Sequence, residues 1–191
     1  MKECTVVQLS ELQVDNNTGW RGYVQECQNA LLKEVKEKTR GWTLIPSHYE
    51  KIEVSYKKVA DTYPLRLWKI TGEIEATPAD VLHRILVERH VWDEELQATR
   101  KICQIDNFSD IFQYMRRNIV SLPLEDYCVL RSWKKDLPKN GCLLVETSVE
   151  HSEASLVPNS IRGIVLASRY LIEQCGTGCS RLTHLSRVDT R

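Results

Sequence analysis

The 191-residue sequence has no apolar run of about 18 residues, so nothing in it reads as a membrane-spanning helix. Its first residues, Met-Lys-Glu-Cys-Thr-Val-Val-Gln-Leu, contain no long apolar core of the kind a secretory signal needs. It also has no excess charge: 26 Lys and Arg balance 26 Asp and Glu. A protein that binds the phosphate backbone of nucleic acid needs a basic footprint, so no nucleic-acid partner is expected. No G-x-S-x-G, no glycine-rich phosphate loop and no internal repeat occurs, and no histidine has a local context that marks it as a general base. The expectation is therefore a noncatalytic chain without a cofactor.

What remains is the composition of an ordinary globular domain, 42% hydrophobic and 27% charged. The seven cysteines are odd in number and mostly sit at apolar positions, which reads as free thiols in a reducing, cytoplasmic compartment. One pair is close, Cys175-Gly-Thr-Gly-Cys179, with His184 five residues on. A structural zinc site asks for four ligands and usually two such pairs. The segment is read as a plain hairpin turn, with Gly176 and Gly178 supplying positive φ, and no metal is expected.

Residues 1–17 lack a sustained period and read as a leader or linker, and 18–191 as one domain. Trp20, Val24, Cys27, Leu31 and Val35 recur every three or four residues, predicting an amphipathic helix stopped at Gly41. Ile52, Val54 and Tyr56, then Trp68, Ile70, Gly72 and Ile74, alternate as two strands of a hairpin. Thr77-Pro78-Ala79-Asp80 is an N-cap followed by a proline and an acid, so Thr77–Leu96 reads as one helix or as two broken near His90–Asp93. Strands are predicted over 98–106, 109–119, 126–135, 141–151, 161–174 and 180–189. The fold class is α+β with a curved antiparallel sheet.

Arg131 shares an apolar and aromatic face with Tyr127, Val129 and Trp133 by alternation, where an unpaired buried charge is costly. It is either a snorkelling edge residue or a polar anchor inside an apolar cavity, and its replacement by Leu is expected to leave stability unchanged or raised. Glu146 interrupts Leu143-Leu144-Val145, facing solvent or neutralising Arg131. Leu156-Val157-Pro158 is an apolar loop, either packed or a gate.

Several stretches in this order resemble the START (StAR-related lipid transfer) domain. They are Pro64-Leu-Arg-Leu-Trp-Lys69, Val91-Trp-Asp-Glu-Glu-Leu96, Asp126-Tyr-Cys-Val-Leu-Arg-Ser-Trp133, Thr147-Ser-Val-Glu-His151, Ile161-Arg162, Tyr170-Leu-Ile-Glu-Gln-Cys-Gly176 and Ser180-Arg-Leu-Thr-His-Leu-Ser-Arg-Val-Asp189. Gly19-Trp-Arg-Gly-Tyr-Val24, Ser55-Tyr-Lys-Lys-Val59 and Ser168-Arg-Tyr-Leu-Ile172 are similar to the "deleted in liver cancer" branch of Rho GTPase-activating proteins. The resemblance implies a helix-grip fold: an antiparallel sheet curled around a hydrophobic tunnel that holds one lipid. Tyr127, Val129, Arg131, Trp133 and Glu146 are then expected to line the cavity. The implied partners are a lipid, a membrane surface, and Rho-family GTPases through the parent protein's Rho-GAP domain. The chain itself is expected to sit in the cytoplasm with peripheral membrane association.

Two departures from the family shape these expectations. Cholesterol-binding members carry an acid in the fifth strand opposite the strand-six arginine, and Ile111-Phe-Gln-Tyr-Met115 has none, so sterol specificity is not implied. The sequence ends at Arg191, about where the last strand ends, so the family's closing C-terminal helix is expected to be missing. That would leave an open apolar groove between the sheet and the N-terminal helix. The alternative function is a protein-interaction module that has lost lipid binding, its tunnel filled by Tyr127 and Trp133.

Overall fold

The computed structural model describes residues 19–37, 41–46, 51–61, 63–117 and 123–190; the leader expected over 1–17 lies outside them. In chain order the elements are α1 (Gly19–Lys36), β1 (Thr43–Ile45), β2 (Ile52–Lys58), β3 (Arg66–Ile74), α2 (Pro78–Leu86), α3 (Arg89–Trp92), β4 (Leu96–Asp106), β5 (Ser109–Arg116), β6 (Leu124–Leu137), β7 (Gly141–Ser148), β8 (Ser160–Arg162), β9 (Ile164–Gly176) and β10 (Cys179–Asp189). All the strands join one sheet in the order β1-β2-β3-β10-β9-β7-β6-β5-β4, antiparallel throughout that path, while β8 pairs in parallel with the start of β6.

The helices divide over the two faces of this sheet. The α1 stripe Trp20, Val24, Cys27 and Leu31 packs on Ile111, Leu130, Leu143, Val145, Leu171 and Leu185. Burial of these side chains, not helix propensity, holds an 18-residue helix in place. Ion pairs at its C-terminal end add direction: Glu34 meets Arg169 at 3.1 Å and Lys57 at 3.5 Å. The helix ends at Lys36, ahead of Gly41, whose φ of +81° serves the turn into β1 rather than a cap. On the other face α2 seats Val81, Leu82 and Ile85 on Cys142, Leu144, Tyr170 and Ile172. Its start follows the sequence: Thr77 accepts a hydrogen bond from the Asp80 amide at 3.3 Å, with Pro78 in the first turn.

The expected long helix is two, and the break falls at Val87–Glu88 instead of His90–Asp93. There the chain turns so that Arg89 reaches Asp93 at 2.9 Å and lies over the Tyr114 ring. At the far end of the sheet, β4 pairs with β5 through three register shifts. β1 was not anticipated, because three residues are too few to show a period.

The predicted strand over 161–174 is also two, divided at Gly163. A Cβ on Gly163 would stand 2.3 Å from a ring carbon of Tyr127, which is buried and stacked on Tyr114 at 4.9 Å. The Gly163 amide donates to the Asp126 carbonyl at 3.0 Å, holding the backbone against that ring. The chain thereby changes neighbours, from β6 for β8 to β7 and β10 for β9. Asp126 fixes the preceding loop: fully buried, it accepts from Gln113 at 3.0 Å, from the Val157 amide at 3.2 Å and from Arg162 at 3.0 Å. The Leu156–Pro158 loop is thereby tied at the Val157 amide, but its apolar side chains are not packed: Leu156 is 52% exposed.

Gly163→Ala is expected to destabilise the fold by about 1–3 kcal/mol through overpacking, read as a lower urea midpoint. In a Tyr127→Ala background the same change should cost less than about 0.5 kcal/mol. Equal costs in the two backgrounds would show that the ring is not what selects glycine.

Candidate functional site

Between β2, β3 and β10 on one side and α2, α3 on the other runs an open groove of about 1140 Å³. Ile52, Ile70, Ile74 and Leu182 form its sheet wall, Val81, Ile85 and Trp92 its helix wall, and Tyr170 with His184 its floor. Several of these apolar groups are bare: Ile70 is 42% exposed and Trp92 45%. The groove lies on the α2 face. The space expected between sheet and N-terminal helix is instead filled by the α1 stripe, whose four main residues are all at or below 7% exposure.

Charged groups line the groove along β3 and α2 (Glu73, Glu75, Asp80 and Arg84) and again near α3. Arg89 and Arg116 line the end with Asp93 and Glu95; Arg89 bonds Asp93, and Arg116 pairs with Glu95. Burial works to lower the Arg89 pKa, but the Glu146 carboxylate and the Asp93 bond prevail and raise it, so it is a permanent cation. On the floor, the His184 ring stacks on Tyr170 at 4.0 Å, 3° from parallel. Burial, seconded by the positive charge of Arg89, depresses the His184 pKa to about 4, leaving a neutral imidazole at neutral pH. Burial also pushes the Tyr170 hydroxyl up to about 12.

The five residues singled out in the sequence lie on this face but on β6 and β7, beyond β9 from the groove's sheet wall, and none is in its lining. Tyr127 and Val129 close a separate cluster with Phe112, Tyr114 and Val165. Trp133 packs beside the α2 cluster. Glu146 is 4% exposed, so the solvent-facing alternative does not hold; it accepts a hydrogen bond from Ser168 at 2.8 Å, and Ser168 in turn stands 3.4 Å from the His184 ring.

Arg131 is 5% exposed and paired, though not by the residue expected. Its Nε and Nη2 bind Asp110 at 2.8 and 2.7 Å, its Nη1 donates to the Leu86 carbonyl at 3.2 Å, and the guanidinium lies 3.7 Å over Phe112. An acid does therefore stand opposite this arginine. Asp110 sits one residue before the Ile111–Met115 stretch, because β5 begins at Ser109 and its register sets Asp110 against Arg131. Asp110 already lies within the strand expected over 109–119, and the β5–β6 register is what sets it against Arg131. Arg89 carried no signal, since helical periodicity gave it no inward face.

A cysteine thiol also meets a histidine at Cys103, whose Sγ is 3.9 Å from the His151 Nε2. The other ring nitrogen, Nδ1, accepts from the Glu153 amide at 3.2 Å, which assigns the proton of the neutral ring to Nε2. Nε2 then has no lone pair for the thiol proton, and burial raises the Cys103 pKa. This pair is not arranged as a thiolate nucleophile.

Comparison with known proteins follows the same outline. Rho GTPase-activating protein 7 of Rattus norvegicus is 42% identical over 191 residues, all of this chain, which spans 17% of that protein's length. The StAR-related lipid transfer protein 13 of Homo sapiens is 41% identical over 187 residues, 98% of this chain and 17% of that protein. Among solved structures, the human StarD13 (DLC2) lipid transfer and protein localization domain superposes with a TM-score of 0.75 at 45% identity, covering 85% of this chain and 82% of that one. Human STARD10 gives 0.74 at 25% identity, covering 87% and 67%. A sequence model of the START domain matches residues 23–191, from the first turns of α1 through β10, and with these relatives it shows that the chain belongs to the START domain family.

Proposed function

We propose that the chain is a noncatalytic lipid-binding module of a Rho GTPase-activating protein. Residues 18–191 form the module, and 1–17 link it to the rest of its parent. The groove is the observation that carries this reading: about 1140 Å³ with aliphatic side chains on both walls, and with charged side chains such as Glu73, Asp80, Arg84, Arg89 and Arg116 also in its lining. An acyl or ring body laid along Ile70, Ile74, Ile85 and Leu182 gains roughly 25 cal/mol for each Å² of apolar surface removed from water. Arg89 and the neutral His184 are the polar groups placed to orient its head. Glu146 acts on the head through Ser168 and His184, and Arg131 shapes the wall through Phe112 and the Leu86 carbonyl. Tyr127, Val129 and Trp133 pack farther along the same sheet face. In the parent, held in the cytoplasm, the module docks on a membrane surface and couples lipid occupancy to Rho-family GTPases through the Rho-GAP domain.

A protein-interaction module without lipid is the second reading. It is favoured by the closed Phe112–Tyr114–Tyr127 cluster, which fills the β5–β6 end of the same face.

Three outcomes check these readings. Delipidated protein incubated with phospholipid and sterol vesicles should take up one lipid per chain by native mass spectrometry, and Ile70→Asp should abolish uptake. No uptake from any class favours the interaction module. Arg131→Leu should cost about 3–5 kcal/mol by leaving Asp110 buried and unpaired, whereas Asp110→Leu/Arg131→Leu should recover most of that loss. Because the loss of Arg131 would leave the buried Asp110 carboxylate without its partner, the substitution is not expected to leave stability unchanged or raised. Equal stability of the single and double variants would mean that the pair is not what Arg131 contributes.

The third outcome concerns His184. Its pKa in the fold, about 4, lies below the 6.5 of an unfolded chain, so the unfolded state binds the extra proton. Stability is thus full above pH 6.5 and falls as pH drops toward 4. Between pH 7.5 and 5 this one group should remove about 2 kcal/mol. His184→Phe, which keeps a ring against Tyr170, should remove that component of the pH dependence. An unchanged pH profile in the variant would clear His184.

A further inference from the structure

The hairpin turn joining β9 to β10 carries more than turn chemistry. Thr177 and Gly178 form the two-residue connection, and only Gly178 has the positive φ, at 64°. Cys179 pairs with Gly176, but the next pair is Ser180 with Gln174, so Cys175 is the extra residue of a β-bulge. A bulge cancels strict alternation and brings Cys175 beside Cys179. Both thiols are free, and their sulfurs stand 3.4 Å apart. From the neighbouring strand β3 comes Glu73, set in register against Arg181. One carboxylate oxygen and the two sulfurs all lie within 4.8 Å of one another.

Two thiolates and a carboxylate are a donor set for a borderline-soft cation. Zinc–sulfur bonds of about 2.3 Å and zinc–oxygen bonds of about 2.0–2.2 Å place tetrahedral ligand atoms roughly 3.5–3.8 Å apart. The observed spacing needs only side-chain adjustment to meet this, and the exposed position of Cys175 and Glu73 leaves an open path for the ion. Arg181 Nη2 holds Glu73 Oε1 at 3.1 Å, which orients the carboxylate and offsets part of the anionic ligands' charge. We propose that Cys175, Cys179 and Glu73 form a three-ligand site for zinc or a similar thiophilic divalent cation, its fourth position open to water. The third ligand comes from another strand, so the spacing of ligands along the sequence does not show the site. The two thiol protons leave to solvent as the metal–sulfur bonds form, so no oxidant is involved.

The 191-residue chain, reduced with a phosphine, is titrated with cadmium alone and then with zinc in competition. One equivalent of cadmium should give thiolate-to-metal charge-transfer absorption in the ultraviolet, displaced by zinc. Cys175→Ser and Cys179→Ser should each abolish the band. Glu73→Gln should weaken the affinity about tenfold, since even partners outside the coordination shell are worth that much. Cys103→Ser, at the Cys103–His151 contact, should change nothing. Retention of the band in the Cys175→Ser/Cys179→Ser variant overturns the site, as does failure of the reduced chain to take up either metal.

Discussion

The structure is organised by burial on both sides of its central strands. With α1 on one face and α2 on the other, all eight residues of β7 and most of β6 lose contact with water. Every polar side chain on those strands must then find its partner within the protein, because an unpaired buried charge costs several kcal/mol. Asp110 with Arg131, Glu146 with Ser168, and Asp126 with Gln113 and Arg162 are the solutions adopted. They follow the sheet's register across neighbouring strands. The same pairing that makes burial tolerable also fixes which residue opposes which.

Where the two helices leave the sheet uncovered, the rule relaxes. β2 and β3 carry Ile52, Ile70 and Ile74 on the α2 face without a helix over them, and the groove is what results. Its floor is the place where buried and bare regions meet. Tyr170 belongs to the packed cluster under α2, yet also lines the groove, and it carries the stacked His184. The groove floor is thereby held by the core.

What the sequence disclosed was local. The α1 stripe, the β2–β3 alternation and the capped start of α2 each depend on residues within a few positions of one another, and periodicity reads them. The division at Gly163 depends on the Tyr127 ring, and the partner of Arg131 depends on the register between β5 and β6. Neither is contained in a window of sequence. The face of Arg131 followed from alternation, but its distance along the sheet from the groove did not, since alternation gives a side and no distance. The apolar walls were visible as hydrophobic residues without any sign that they would stay bare, and the bulge that gathers Cys175 beside Cys179 is invisible to a period of two.

The two ends of the sheet are unlike its middle. An open sheet leaves unsatisfied amides and carbonyls along its outer strands, a template onto which another chain can add. Here one margin is the three-residue β1, too short to offer more than a few ladder bonds. The other is β4, whose three register shifts interrupt the even spacing an incoming strand would need. A sheet that leaves one apolar hollow bare is thus closed to growth at its margins, where an added strand would otherwise start a fibre.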